Sequence, residues 1–378
     1  MFNFKKVAKF CYYKIKVAQY IASNFRGSVN NELMSVDEAR KTLSSVRPQP
    51  KGKVTRDREI ISDESVDLSI IVPVYNVEDT LKQCLDSCFS QKTKYSFEVI
   101  AINDGSPDNS GAILAEYKDE RLKVITQENK GFSGARNTGL LARHGKYVLF
   151  LDSDDYLFPG AIEVLLNAAL KSHADIVEGS YLNLRSGKLL SGFKHPKGCH
   201  KIQSYHDLYG FPWGKVYTSR IFNELEFPQD YIFEDTVVGM LWIPISKSIY
   251  TLGDNVLVYR TNPKGISATV GNTDRSIDSY WITELLVEEQ SKRDLLNQEN
   301  FSFFLDQLAI NYFRIRQMDK KIKLAEFVLS RALLNVYLES SSVQVERLSG
   351  KKIKLVKHML AGDYRKTIDL LAAWEGMK

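Results

Sequence analysis

Three carboxylates, Asp152, Asp154 and Asp155, follow directly on the apolar run Tyr147-Val148-Leu149-Phe150-Leu151. Like charges this close repel, so the cluster is costly unless something positive sits among them. Mg²⁺ or Mn²⁺ suits that need, because hard cations take carboxylate oxygens and keep places for substrate phosphates. A solvated acidic turn is the plainer reading of a lone D-x-D. The strand before it and the polar motifs upstream favour a metal–phosphate site. A second acidic pair, Glu234-Asp235, lies among Tyr231, Ile232, Phe233, Val237 and Val238. Such surroundings weigh against a plain surface acidic pair. A third candidate, Asp104, follows the run Phe97–Ile102 within Asn103-Asp104-Gly105-Ser106. Asp108 and Asn109 are better placed to cap the next helix, which leaves Asp104 to accept from a ligand. His195, His200 and His206 are scattered through a loose segment and are assigned no metal.

These side chains need a scaffold that brings them together. The runs 68–74, 97–102, 122–126 and 147–151 read as strands. Helical segments over 77–90, 109–118 and 131–143 separate them, with Gly145 as the C-cap of the last. Strand–helix alternation with short loops predicts a doubly wound, mostly parallel α/β sheet with right-handed crossovers. Strands one, two and four then end along one edge, where open α/β sheets bind ligands. The first strand–helix turn, Pro73–Asp79, contains no glycine, and neither G-x-G-x-x-G nor a P-loop occurs anywhere. That excludes a dinucleotide fingerprint and a P-loop NTPase. It also weighs against a nucleotidyltransferase, whose triphosphate needs a basic, glycine-rich loop there. A helix over 159–172, strand-like stretches at 175–179 and 181–184, a turn at Ser186-Gly187, a loose loop over 191–212 and a strand at 255–259 come next. From about residue 276 helical periodicity dominates.

The chain has 378 residues, 44% of them hydrophobic, and a net charge of only +5, too little to argue for nucleic acid. The four cysteines lack C-x-x-C spacing, which suits a reducing cytoplasm. Cys84 and Cys88 read as small core residues. No apolar run is long enough to cross a bilayer. Residues 1–25 alternate Phe4, Val7, Cys11 and Ile15 with Lys5, Lys9 and Lys16 at helical spacing. A basic amphipathic helix of this kind either lies on an anionic membrane or packs on the protein's own body. Residues 46–66, with Pro48, Pro50 and Gly52, read as a linker. The expected division is 1–66, an N-terminal helix and linker; 67–275, the α/β domain; and 276–378, a helical region.

Several motifs resemble those of the family-2 glycosyltransferases, which have the GT-A nucleotide-sugar fold. They are Ile71–Asn76, Asn103–Ser106, Asn129–Asn137, Asp152–Asp155, Trp213-Gly214-Lys215 and Glu234-Asp235, with Tyr259-Arg260 a looser match. The resemblance covers roughly 67–265. It implies that Pro73 and Tyr75 line a nucleoside pocket and that Asp104 accepts from a uracil imide. Asp152, with Ser153 beside it, would hold the ribose, and Asp154 would bind Mg²⁺ or Mn²⁺. Lys130 and Arg136 would lie near the nucleotide. Asp235 would be the base, with Glu234 beside it. Trp213 and Lys215 are assigned to the acceptor side, although Trp213 is equally a core residue by type. Many relatives have two acids where this chain has Asn103-Asp104; Asn keeps the hydrogen bond and loses the charge. The implied activity is an inverting transfer from a UDP-sugar to a saccharide or lipid-linked saccharide at the inner face of the cell membrane. A non-catalytic partner subunit is the rival reading, and the presence of both Asp154 and Asp235 argues against it.

Overall fold

The computed structural model describes residues 34–262 and 273–374. The amphipathic stretch over 1–25 lies outside the described residues. The chain divides into two compact units, one of residues 50–269 and one combining the N-terminal segment with residues from 270 onward.

Helix α1 (Val36–Val46) belongs to the second of these. Ser35 and Glu38 form a capping box at its start. Arg40 and Arg47 pair with Glu284 and Asp278 of the same unit.

The other unit is a mixed α/β sheet. Strands β1 (Val66–Val74), β2 (Phe97–Asn103), β3 (Leu122–Thr126) and β4 (Gly145–Phe150) alternate with helices α2 (Glu78–Phe89), α3 (Ser110–Glu116) and α4 (Gly131–Leu141). These four strands are parallel, in the order β3-β2-β1-β4. The near-continuous burial of β1 and β4 is that of strands covered on both faces. After β4 come β5 (Tyr156–Leu157), α5 (Ala161–Ser172), β6 (Ile176–Arg185), β7 (Lys188–Ser191), β8 (Cys199–Lys201), β9 (Lys215–Thr218) and β10 (Ile249–Arg260). The sheet continues β4-β9-β6-β10-β5. Strand β9 is antiparallel to both β4 and β6, and β10 is parallel to β6. Strands β1, β2, β4, β6 and β10 therefore end along one edge, and β9 begins there.

The helix before β4 ends earlier than its sequence suggests, and Ala142 rather than Gly145 is its C-cap. Gly145 is the first residue of β4, where a Cβ would lie 2.3 Å from the Ser69 nitrogen. Its glycine allows β1 and β4 to approach, a different use of the residue from capping. Residues 50–60 do not hang free as a linker. Thr55 bridges Leu225, Arg56 N donates to the Glu224 carbonyl at 2.7 Å, and Val54 is buried. The loop over 191–212 carries β8, paired with β10, and a 3₁₀ turn at Tyr205–Asp207. Its polar composition hid a three-residue strand. The two strand-like stretches at 175–184 are one strand, β6.

The remaining helices are α6 (Asp278–Lys292), α7 (Gln298–Ile315), α8 (Lys320–Leu338), α9 (Gly350–Leu360) and α10 (Tyr364–Ala372). They pack with α1 around Trp281, Phe301, Phe304 and Tyr337. Among the described residues no helix is long and apolar enough to cross a membrane.

Candidate active site

Helix α4 organises the site from below. Ser133, Arg136 and Asn137 share one of its faces, at the i, i+3, i+4 spacing that brings side chains together. Ser133 Oγ donates to the Pro228 carbonyl at 2.7 Å. Asn137 forms a two-way amide pair with Phe227, both bonds 2.8 Å. The same helix thus holds segment 227–234 in place.

Arg136 is 3% exposed and makes the central connection. Its Nη2 donates to Asp152 Oδ1 and its Nη1 to Glu234 Oε1, both at 2.7 Å. The guanidinium also lies over the Phe227 ring, 5.1 Å from its centre. Burial alone would lower its pKa, but Asp152 and Glu234 outweigh that and raise it. One buried cation therefore joins the end of β4 to the Glu234-Asp235 segment. That segment opens a buried helical turn, with Val238 N donating to the Asp235 carbonyl at 2.9 Å. Glu234 is nearly buried, and burial pushes its pKa up to about 7. The guanidinium works against that rise and Asp235 adds to it. Asp235 is the more exposed of the two.

The carboxylate loop after β4 is fixed by its neighbours. Asp155 is buried, and its Oδ1 accepts from Arg260 N at 2.6 Å. Its Oδ2 is buried without a hydrogen-bond partner among the described residues. Burial, then Asp154 and Asp152, raise Asp155 well above the carboxylate range. Arg260 Nε donates to the Asp154 carbonyl at 2.8 Å. Asp154 has its own pKa raised, by burial and then by Asp152. Its carboxylate has Asn262 Nδ2 at 3.5 Å, a weak contact. A carboxylate crowded by like charge and weakly bonded fits a hard cation. Ser153 is buried, and its carbonyl accepts from Thr80 Oγ1 at 3.1 Å.

Along the same edge, Pro73 is buried in β1 and Tyr75 is 46% exposed just beyond it. Asp104 is buried, with Oδ1 accepting from Gln127 Nε2 at 2.6 Å and from Lys130 N at 2.9 Å. Its carboxylate thus fastens the start of α4, a task its place after β2 does not announce. The side chain of Lys130 is exposed. Asp108 does the capping: it accepts from Ser110 N at 3.0 Å and from Glu78 N at 2.8 Å. Burial opposes them, but the bonds together hold its pKa down to about 2.

Trp213 and Lys215 differ from expectation. Trp213 is 3% exposed, stacked on Tyr259 at 5.3 Å and on Phe211 at 4.8 Å. Lys215 is fully buried, so it cannot touch an acceptor. Its Nζ pairs with Glu178 Oε2 at 2.5 Å and donates to the Tyr209 and Phe211 carbonyls at 2.9 and 2.7 Å. Burial lowers its pKa and Glu178 opposes that. His195 also reaches Glu178, at 2.9 Å. Ser133, Asn137, Glu178 and Tyr209 had no assigned part in the sequence. For Ser133 and Asn137 the signal was their spacing on a helix otherwise rich in small residues.

Residues 69–207 match the family model described as Glycosyl transferase family 2. Glycosyltransferase GlyA of Streptococcus pneumoniae is 34% identical over 218 residues, 53% of this chain and 31% of that protein. WfgD of Escherichia coli, a UDP-Glc:alpha-D-GlcNAc-diphosphoundecaprenol beta-1,3-glucosyltransferase, is 34% identical over 131 residues, 34% of this chain and 51% of WfgD. The chain thus matches about half or less of each relative's length. The solved structure of S. aureus TarS 1-349 with UDP-GlcNAc superposes with a TM-score of 0.62 at 19% identity, covering 81% of this chain and 91% of TarS 1-349. At that identity the likeness is one of fold, the GT-A type.

Proposed function

We propose that the domain moves a sugar from a UDP-sugar to a hydroxyl of a saccharide or lipid-linked saccharide, inverting the anomeric carbon. The Arg136 bridge carries this reading. It ties a strand-end carboxylate suited to the donor, Asp152, to the Glu234-Asp235 segment suited to the acceptor. A transferase needs both within reach of one reacting atom.

Pro73 and Tyr75 would flank the nucleoside. Asp104 Oδ1 is already engaged, which leaves Oδ2 for the imide N–H of uracil. Asp152 and Ser153 would take the ribose, with Lys130 near the diphosphate. Asp154 would hold Mg²⁺ or Mn²⁺. Among the described residues no three acidic, histidine or cysteine side chains converge on one point. A cation on Asp154 would therefore draw further oxygens from the diphosphate. Such a cation would supply charge stabilisation for the leaving group, worth several kcal/mol.

Asp235 is the better base. Glu234 has its Oε1 held by the Arg136 guanidinium, whereas Asp235 is more exposed and sits next to it. Asp235 would take the acceptor hydroxyl's proton as that oxygen attacks. A single base and in-line attack give inversion. WfgD, named for a UDP donor, a diphosphoundecaprenol-linked acceptor and a beta linkage, supports the donor class and the lipid-linked alternative. A lipid-linked acceptor would set the enzyme at the inner membrane face.

The test is a screen of UDP-sugars for Mn²⁺- or Mg²⁺-dependent UDP release, with membrane extract as acceptor. One sugar should turn over, and Asp154→Ala should abolish the turnover with circular dichroism unchanged. Full activity in EDTA or in the variant would reject the metal assignment. Neither UDP binding nor turnover with any sugar would reject the donor class.

A further inference from the structure

Phe211 is 41% exposed although it belongs to a ring cluster that is otherwise largely covered. Its ring lies nearly parallel to Trp213, at 9° and 4.8 Å between centres. Trp213 in turn stacks on Tyr259 at 18° and 5.3 Å. The three rings form a column with one end in water.

The column is rooted beside the carboxylate loop. Tyr259 precedes Arg260, whose backbone nitrogen bonds Asp155. Its hydroxyl is pushed up to about 12, by burial first and then by Asp155, Asp154 and Asp152. Trp213 bridges Phe150, two residues before Asp152. Strand β9 begins at the edge where β4 and β10 end, so the residues preceding it emerge at the same edge.

The column is also rigid. Buried Lys215 bonds the Tyr209 and Phe211 carbonyls, and Glu178 holds Lys215. The Tyr209 hydroxyl lies 2.9 Å from the Gly179 carbonyl and 3.0 Å from that of Gly214. Gly214, at φ +71, has no Cβ to meet that hydroxyl, which would lie 2.2 Å from one. A buried ion pair and a buried tyrosine thus fix the backbone of an exposed phenylalanine. Rigid presentation of an apolar ring to water lowers the ordering cost of binding and contributes nothing to the core.

The geometry points to Phe211 as the platform on which a pyranose ring of the acceptor saccharide stacks its C–H face. This deepens the proposed transferase reading and rests on it for the word acceptor. A sugar suits the place better than an acyl chain. Phe211 is the exposed ring of the column, and Phe193 (36% exposed) and Phe211 each pack on buried Tyr209, at 5.5 and 6.4 Å between ring centres. Trp213, buried beneath, supports the platform instead of touching the sugar.

Saturation-transfer NMR on the full chain with UDP and Mg²⁺ tests this. The probes are methyl β-D-glucopyranoside, methyl β-D-galactopyranoside and methyl N-acetyl-β-D-glucosaminide, with 1-octanol as an apolar control. At least one glycoside should receive saturation on its ring C–H protons. Phe211→Ala should weaken that binding roughly three- to tenfold, the scale of one aromatic contact, and Phe211→Tyr should retain it. The UDP signal should be the same in all three proteins. Glycoside transfer unchanged in Phe211→Ala, or absent throughout the panel, overturns the platform. So does preferential transfer to octanol, which makes the occupant an alkyl chain. A UDP signal that falls in Phe211→Ala overturns it too, because the ring would then serve the nucleoside. Loss of the UDP signal in the unaltered protein rejects the donor reading separately, and the glycoside result still decides the platform.

Discussion

The sheet is made of two blocks that meet at β9, and they treat charge in opposite ways. In β3-β2-β1-β4 the strand ends present carboxylates. Asp152 and Asp154 keep some exposure, and the pKa of Asp154 is raised by burial and then by Asp152. Where β6 and β9 pair, one ion pair is hidden: Glu178 and Lys215 are both fully buried, and the ring of Phe211 just before β9 is exposed. On the proposed reading, the first block binds a diphosphate through a cation and must keep its carboxylates reachable, whereas the second block receives a sugar and can use an ion pair to hold rings still. Arg136 belongs to the first block and is buried; it links Asp152 to the segment carrying Asp235.

Three changes would break or sharpen this contrast. The largest effect should come from Asp235→Asn, which keeps size and removes the basic carboxylate. Transfer should fall by roughly 10²–10⁴ in kcat while UDP affinity measured by calorimetry holds. Near-normal kcat in this variant, with loss in Glu234→Gln, would move the base to Glu234.

Next is Lys215→Met, which leaves Glu178 charged and buried. Removing one partner of a buried pair costs about 3–5 kcal/mol, to be read as a lower urea midpoint. Adding Glu178→Gln should recover much of it, because the stranded charge is then gone. A single variant as stable as the parent would mean that the second block does not depend on its hidden charges.

The smallest effect should be Asp108→Ala, in the first block. Its carboxylate caps two helix starts, and losing a cap costs about 1 kcal/mol. The folded-state pKa, about 2, lies below the ordinary 3.8. Its contribution is therefore complete above pH 3.8 and is lost as pH falls through 2. The stability gap between variant and parent should close over that window in urea titrations. A gap independent of pH would assign the effect to packing alone.

The first block was legible in the sequence almost strand for strand. Strands β1, β2 and β4 are largely buried, β3 is a more exposed edge strand, and a helix separates each strand from the next, so periodicity and polar punctuation carry most of the pattern. Asp104, Asp152, Asp154 and Asp235 stand out because carboxylates beside apolar runs are costly and hence informative. The second block was not legible. Strand β9 has four residues and runs antiparallel between two parallel neighbours, which no local period records. Strand β10 is broken by register shifts between Leu252 and Leu257, so only its second half looked like a strand. Lys215 was assigned to the acceptor side with the Trp213-Gly214-Lys215 motif; its partner Glu178 lies 37 positions earlier and no spacing rule connects them. The Asn137–Phe227 pair is hidden for the same reason.

The position of β9 also bears on how the chain assembles. Strands β1 to β4 and their helices are contiguous in sequence and close with short loops. From Phe150 the chain must run on to Lys215 before the strand that neighbours β4 exists. Until β9 docks, β4 and β6 each present an unpaired edge, and unpaired edges are where chains pair with the wrong partner. Closing a long loop to seat four residues is a slow step relative to forming local βα units. The most vulnerable stage in the life of this sheet is thus the interval in which its middle is still missing.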